Sequence, residues 1–114
     1  MHELSICQAL LKQVEKIAAD HQAHAVDKVV VHMGPLAGVE PRLLQEAFPI
    51  ASAGTVAQRA ELLIEKLPLR VRCGSCGAES DAQPNRLLCA ACGDWHTHLI
   101  SGDEMLLASV ELLK

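Results

Sequence analysis

The chain has no tyrosine, a single phenylalanine (Phe48) and a single tryptophan (Trp95). Lysine and arginine never cluster, and the formal net charge is −4. Nucleic-acid binding needs a basic footprint, often with aromatic platforms for bases, so both absences argue against it. No apolar segment approaches the ~20 residues of a membrane-spanning helix. The opening Met1-His2-Glu3-Leu4 lacks the basic start and apolar run of a signal peptide. Together with cysteines spaced for metal, this points to the cytoplasm. There is no P-loop, no glycine-rich dinucleotide fingerprint and no nucleophile–base constellation, so an enzyme is not expected.

Against those absences stand four cysteines in two matched pairs, Cys73-Gly-Ser-Cys76 and Cys89-Ala-Ala-Cys92, each followed by a glycine, Gly77 and Gly93. Two residues between thiolates let one tight turn aim both sulfurs at the same ion. A glycine behind the pair relieves the turn where φ must be positive. Four thiolates with no histidine between them describe a closed structural Zn(II) site. Two disulfides or a thioredoxin-like redox motif are the competing readings. Four sulfurs leave no open position on zinc for a substrate, which disfavours a zinc enzyme.

Half of the residues are hydrophobic, but the core must be built from Leu, Val, Ile and Ala. Leu4, Cys7, Leu11, Val14 and Ala18 recur at three- and four-residue steps, predicting a helix over residues 4–20. Cys7, on that stripe, reads as a buried, inert thiol. Val29, Val31 and Met33 alternate with Val30 and His32 in a strand over residues 26–33. The loop Gly34-Pro35-Leu36-Ala37-Gly38 follows, and Pro41 suits the first position of a second helix. Pro49 predicts a kink or an early end to that helix. Residues 61–70 read as a strand running straight into Cys73, 96–100 as a short strand, and 105–112 as the last strand. In that last strand Leu106, Ala108, Val110 and Leu112 share a face. The last strand needs sheet partners that the cysteine segment lacks. The expected fold is therefore α+β: two helices packed on a small mixed three-stranded sheet, with an inserted zinc-ribbon domain. The expected division is residues 1–70 plus 101–114 for the α+β domain and 71–100 for the insertion.

At the amino terminus, a free α-amine, the amide nitrogen of His2 and its imidazole close five- and six-membered chelate rings on one metal. Nitrogen-rich planar coordination suits Ni(II) or Cu(II) rather than zinc. Glu3 adds an amide or a carboxylate nearby. The bland alternative is a solvated histidine on a chain end. His96 and His98, two apart, share a face as a further ligand pair or simply as exposed strand residues. His21 and His24 fall at the end of the first helix, where imidazoles meet unsatisfied carbonyls.

MHELSICQALL at residues 1–11, GPLAGVEP at 34–41 and ISGDE at 100–104, with the two cysteine pairs, closely resemble the HypA/HybF family of hydrogenase-maturation nickel chaperones. The resemblance runs nearly end to end. It implies a metallochaperone that passes Ni(II) to the [NiFe]-hydrogenase large-subunit precursor with a HypB-type GTPase as partner. The implied nickel ligands lie in Met1, His2 and Glu3, with Glu40 an accessory candidate. The implied zinc ligands are Cys73, Cys76, Cys89 and Cys92. A last strand crossing past a zinc hinge is also compatible with a strand-swapped homodimer. The family pattern is departed from at Pro35, Ala37, Pro49 and the run Trp95-His96-Thr97-His98. A zinc-ribbon interaction module without nickel function is the runner-up reading.

Overall fold

The computed structural model describes residues 2–114, which form two compact units. One comprises the chain up to Val31, Val39–Glu65 and Leu106–Lys114; the other comprises His32–Gly38 and Lys66–Met105.

In the first unit, helix α1 spans His2–Asp20 and buries Cys7, Leu10, Leu11, Val14 and Ala18. The three- and four-residue spacing thus marks the inward stripe, with Leu4 half-buried at its start. The helix closes with paired bonds: Ala23 N–H donates to Ala18 O (2.8 Å) and Gln22 N–H to Ala19 O (3.1 Å). That pattern needs a left-handed residue between them, and Gln22 supplies it at φ 57°. His21 Nδ1 lies 2.9 Å from Ile17 O, so one of the two helix-end histidines does meet a terminal carbonyl.

Strand β1 (Ala25–Met33) is central in a sheet of order β2-β1-β6. Its alternating valines bury Val29 and Val31, as the sequence pattern requires. Helix α2 (Pro41–Ser52) crosses over to β2 (Glu61–Lys66) and packs on α1, burying Leu44 and Phe48. Leu67 N–H, just beyond β2, bonds to the carbonyl of Met33 at the end of β1, so these strands run parallel. Strand β6 (Met105–Leu113) runs antiparallel to β1: His24 N–H bonds to Leu113 O, and Gly34 N–H to Glu104 O. The sheet is mixed, with two helices, and the α+β fold class stands.

Three local expectations change. The segment 61–70 is not one strand: β2 stops at Lys66, and Arg70–Cys73 forms β3 in a second sheet. Pro68, lacking an N–H, stands in the break. Helix α2 neither stops at nor before Pro49 but continues to Ser52. Pro49 is exposed, as is Gln45, whose carbonyl loses its helical partner on the solvent side. In β6 the half-buried residues are Met105, Leu107, Val110 and Leu112, so the alternation slips between Ala108 and Ser109. Leu106 is 52% exposed, because β6 is an edge strand with loose demands on its first half.

The second unit carries its own sheet of order β4-β3-β5, with β4 at Glu79–Asp81 and β5 at Thr97–Ser101. Both neighbours run antiparallel to β3. Arg70 and Arg72 face Asp81 and Glu79 across β3 and β4, each pair closing at 2.7 Å. Within this unit the loop 34–38 and the turn 101–104 are laced together. Leu36 N–H donates to Gly102 O (2.6 Å), and a Cβ on Gly34 would overlap the Gly102 carbonyl. Glu104 accepts from the Gly102 N–H, which holds its carboxyl below the usual range.

Gln22→Gly removes the penalty of a side chain in the left-handed region. It should stabilise the protein by ~1 kcal/mol, read as a raised urea midpoint with an unchanged slope.

Candidate metal centre

The two cysteine pairs build the same turn twice. After Cys73, the amides of Ser75 and Cys76 each donate to Cys73 Sγ at 3.3 Å. After Cys89, the amides of Ala91 and Cys92 donate to Cys89 Sγ at 3.3 and 3.4 Å. Gly77 N–H closes the first turn on Cys73 O (3.0 Å), and Gly93 N–H the second on Cys89 O (2.8 Å). Those glycines have φ of 77° and 78°, the left-handed conformation their positions behind the pairs led us to expect.

The turns face each other so that all four sulfurs lie within 4.8 Å of one another. Cys73 Sγ is 3.6 Å from Cys92 Sγ, and Cys76 Sγ is 3.6 Å from Cys89 Sγ. A tetrahedral ion bound at ~2.3 Å to each sulfur separates the sulfurs by about 3.8 Å. The cage therefore fits zinc, and the donor set is the soft, closed kind that zinc occupies in structural sites. All four cysteines are free, with no disulfide joining them in this arrangement.

The amides also tune the sulfurs. The Cys92 N–H, ahead of the Ala91 N–H, draws the Cys89 thiol down to about 7. The Cys76 amide does the same in direction for Cys73. The Asp94 amide pulls Cys92 down too, but the neighbouring sulfurs, Cys73 foremost, push it up to about 12. One low thiol in each turn and crowding among the rest is what four sulfurs around one point produce without a cation. A divalent ion reverses it by deprotonating them all.

A residue that the spacing of the cysteines does not mark, Asp94, ties the two turns together. Its carboxylate accepts from the Ser75 hydroxyl in the first turn and from the His96 ring Nδ1 (2.8 Å) and amide (3.2 Å). Its carbonyl accepts from the Cys89 N–H (3.0 Å). The Ser75 hydroxyl and His96 hold its carboxyl well below the usual carboxylate range. The only sequence signal was a serine inside one pair and an aspartate just past the other.

The remaining candidates are placed as follows. Met1 lies outside the described residues. His2 and Glu3 form the first turn of α1, His2 exposed and Glu3 half-buried. Glu40 is the N-cap of α2: its Oε1 accepts from the Arg42 N–H (3.3 Å), ahead of Pro41 at the first helical position. Cys7 is fully buried, its Sγ 3.6 Å from Leu44 O, and burial ahead of the Glu3 charge pushes the thiol up to about 11. It is an inert core thiol. His96 and His98 are both exposed.

An α+β unit together with a ribbon whose four clustered sulfurs are placed to hold one tetrahedral ion fits a metal-handling protein. Comparison with known proteins narrows the class. A family profile described as hydrogenase/urease nickel incorporation, metallochaperone, hypA, matches residues 1–112. The chain is 50% identical over 113 residues to a Nitrosospira multiformis protein named hydrogenase maturation factor HypA, covering 99% of this chain and 98% of that one. A protein of the same name from Aquifex aeolicus is 47% identical over 112 residues, covering 98% and 97%. The solution structure of the Ni metallochaperone HypA from Helicobacter pylori superposes with a TM-score of 0.69 at 26% identity, covering 97% of each chain. A second solution structure, of a HypA protein, gives 0.75 at 28% identity, covering 99% and 97%. The chain belongs to the HypA family of hydrogenase-maturation metallochaperones, which are not enzymes.

If Asp94 fixes the two turns against each other, Asp94→Ala should weaken zinc binding by roughly 10- to 100-fold in competition with a chromophoric chelator. The exposed strand carboxylate variant Asp81→Ala should leave it unchanged. Affinity should also fall as pH drops below neutrality, because each thiol must shed its proton to bind.

Proposed function

We propose that this chain binds Ni(II) reversibly at its amino terminus, through Met1, His2 and Glu3, and delivers it to the [NiFe]-hydrogenase large-subunit precursor. A HypB-type GTPase acts as partner in this reading, since the chain has no nucleotide-binding motif of its own. Cys73, Cys76, Cys89 and Cys92 hold Zn(II) permanently. The names of the relatives support the hydrogenase-maturation setting.

The observation that carries the reading is where α1 begins. Its described residues begin at His2, so His2 and Glu3 both lie in the first turn, ahead of the packed stripe. The packed stripe from Cys7 onward anchors the turn, while the exposed His2 stays accessible to a receiving protein. An exchangeable nitrogen site on a chain end and a closed thiolate cage suit opposite tasks, transfer and permanent cross-linking. Glu40 remains an accessory ligand in this proposal; its capping bond engages one carboxylate oxygen.

The test is calorimetric titration of the zinc-loaded protein with Ni(II), with its native amino terminus and with a short extension ahead of Met1. The extension should abolish stoichiometric tight binding while zinc stays in place, and His2→Ala should do the same. Equal tight binding by native and extended proteins would show that the α-amine is not a ligand. A zinc-ribbon interaction module without nickel function would show no tight site in either protein.

A further inference from the structure

The ribbon carries a second group of metal-ligating side chains outside its cage. We propose that His96 and His98 form a low-affinity site for a late first-row divalent ion, Ni(II) in the setting above. This site stands apart from the amino-terminal one and does not require it.

Four features support it. First, His96 Nδ1 is 2.8 Å from Asp94 Oδ1. An ionised carboxylate only accepts, so Nδ1 carries the proton and Nε2 keeps its lone pair for a metal. A carboxylate behind the ring is the usual support of a metal-ligating histidine. Second, the ring is fixed in plane by stacking on Trp95, with centroids 3.8 Å apart and planes at 28°. Third, the intervening Thr97 is half-buried, and its hydroxyl donates to Leu87 O at 2.7 Å. The histidines on either side of it, His96 and His98, are both exposed.

Fourth, the floor beside them is bare. A Cβ on Gly74 would lie 3.7 Å from His98 Nε2 and 3.9 Å from His96 Cβ, so both histidines flank the same glycine. Gly74 N–H also bonds to His96 O at 2.7 Å, which holds this backbone in place. The one cation facing His98 across the sheet, Arg72, is occupied by Glu79 at 2.7 Å. Two imidazole nitrogens, completed by water, suit Ni(II), Cu(II) or Zn(II) rather than magnesium or calcium.

Trp95 is the only tryptophan in the chain and touches the proposed ligand, so its fluorescence reads this site selectively. The experiment titrates Ni(II) into the zinc-loaded protein carrying the amino-terminal extension, which removes the terminal site from the measurement. Trp95 emission should fall saturably with one further equivalent of nickel, and zinc should stay bound by mass spectrometry. His98→Ala, which leaves the Trp95 stack and the Asp94 contacts intact, should lose the saturable quenching. His96→Ala should lose the same binding event by calorimetry. The proposal is overturned if His98→Ala titrates like the parent protein. It is also overturned if quenching tracks zinc release, or if quenching occurs only with the native amino terminus. The terminal-site reading is decided separately, by native against extended protein in calorimetry.

Discussion

The convergence of four sulfurs on one point is the constraint on which the ribbon unit depends. Its buried apolar residues are Met33, Leu69, Val71, Cys73 and Cys89, and two of those belong to the sulfur cluster. So few buried side chains cannot offset the entropy of ordering the ~40 residues from Lys66 to Met105. A metal bound by four thiolates can, because its binding free energy becomes folding free energy. The rest of the ribbon then reads as support for that one centre. The amides aimed at Cys73 and Cys89, the left-handed glycines, and the Asp94 link to Ser75 all fix the angle at which one turn meets the other.

The first unit is built by the opposite means. There the ordering comes from burial: the α1 stripe, Leu44 and Phe48 of α2, and the β1 valines form an apolar core. Its one cysteine, Cys7, lies in that core with its thiol raised, which takes it out of metal chemistry. The contrast sets Cys7 apart from the four clustered sulfurs. Burial raises the Cys7 thiol, whereas Cys73 and Cys89 each accept from two backbone N–H groups and are lowered.

What could be read from the sequence follows the same division. The helices, the central strand and the return of the last strand to the main sheet were legible, because repeated burial imposes periodicity over many residues. The cage was legible because thiolate spacing and the following glycines are direct consequences of turn geometry. The second sheet was not. Its β4 is only Glu79–Asp81, too short for a period to show, and the break at Pro68 interrupts what reads as one strand. Nor was the Asp94 link, since its partners are 19 residues back in Ser75 and two ahead in His96. Glu40 was legible as a residue ahead of a helix, but only the structure shows its carboxylate capping that helix.

The lacing of loop 34–38 to turn 101–104 gives a physical account of two segments otherwise noticed only for their family likeness. Gly34 can carry no side chain because the Gly102 carbonyl occupies the space, and Gly102 has φ 124°, where other residues are strained. Glu104 then holds the Gly102 amide, while Leu36 takes the Gly102 carbonyl. Gly34, Gly102 and Glu104 thus each answer a need set by another. The GP and GD dipeptides mark a fixed backbone crossing rather than ligands. That sets this scaffold crossing apart from the four clustered cysteine sulfurs, which carry the donor chemistry of the ribbon.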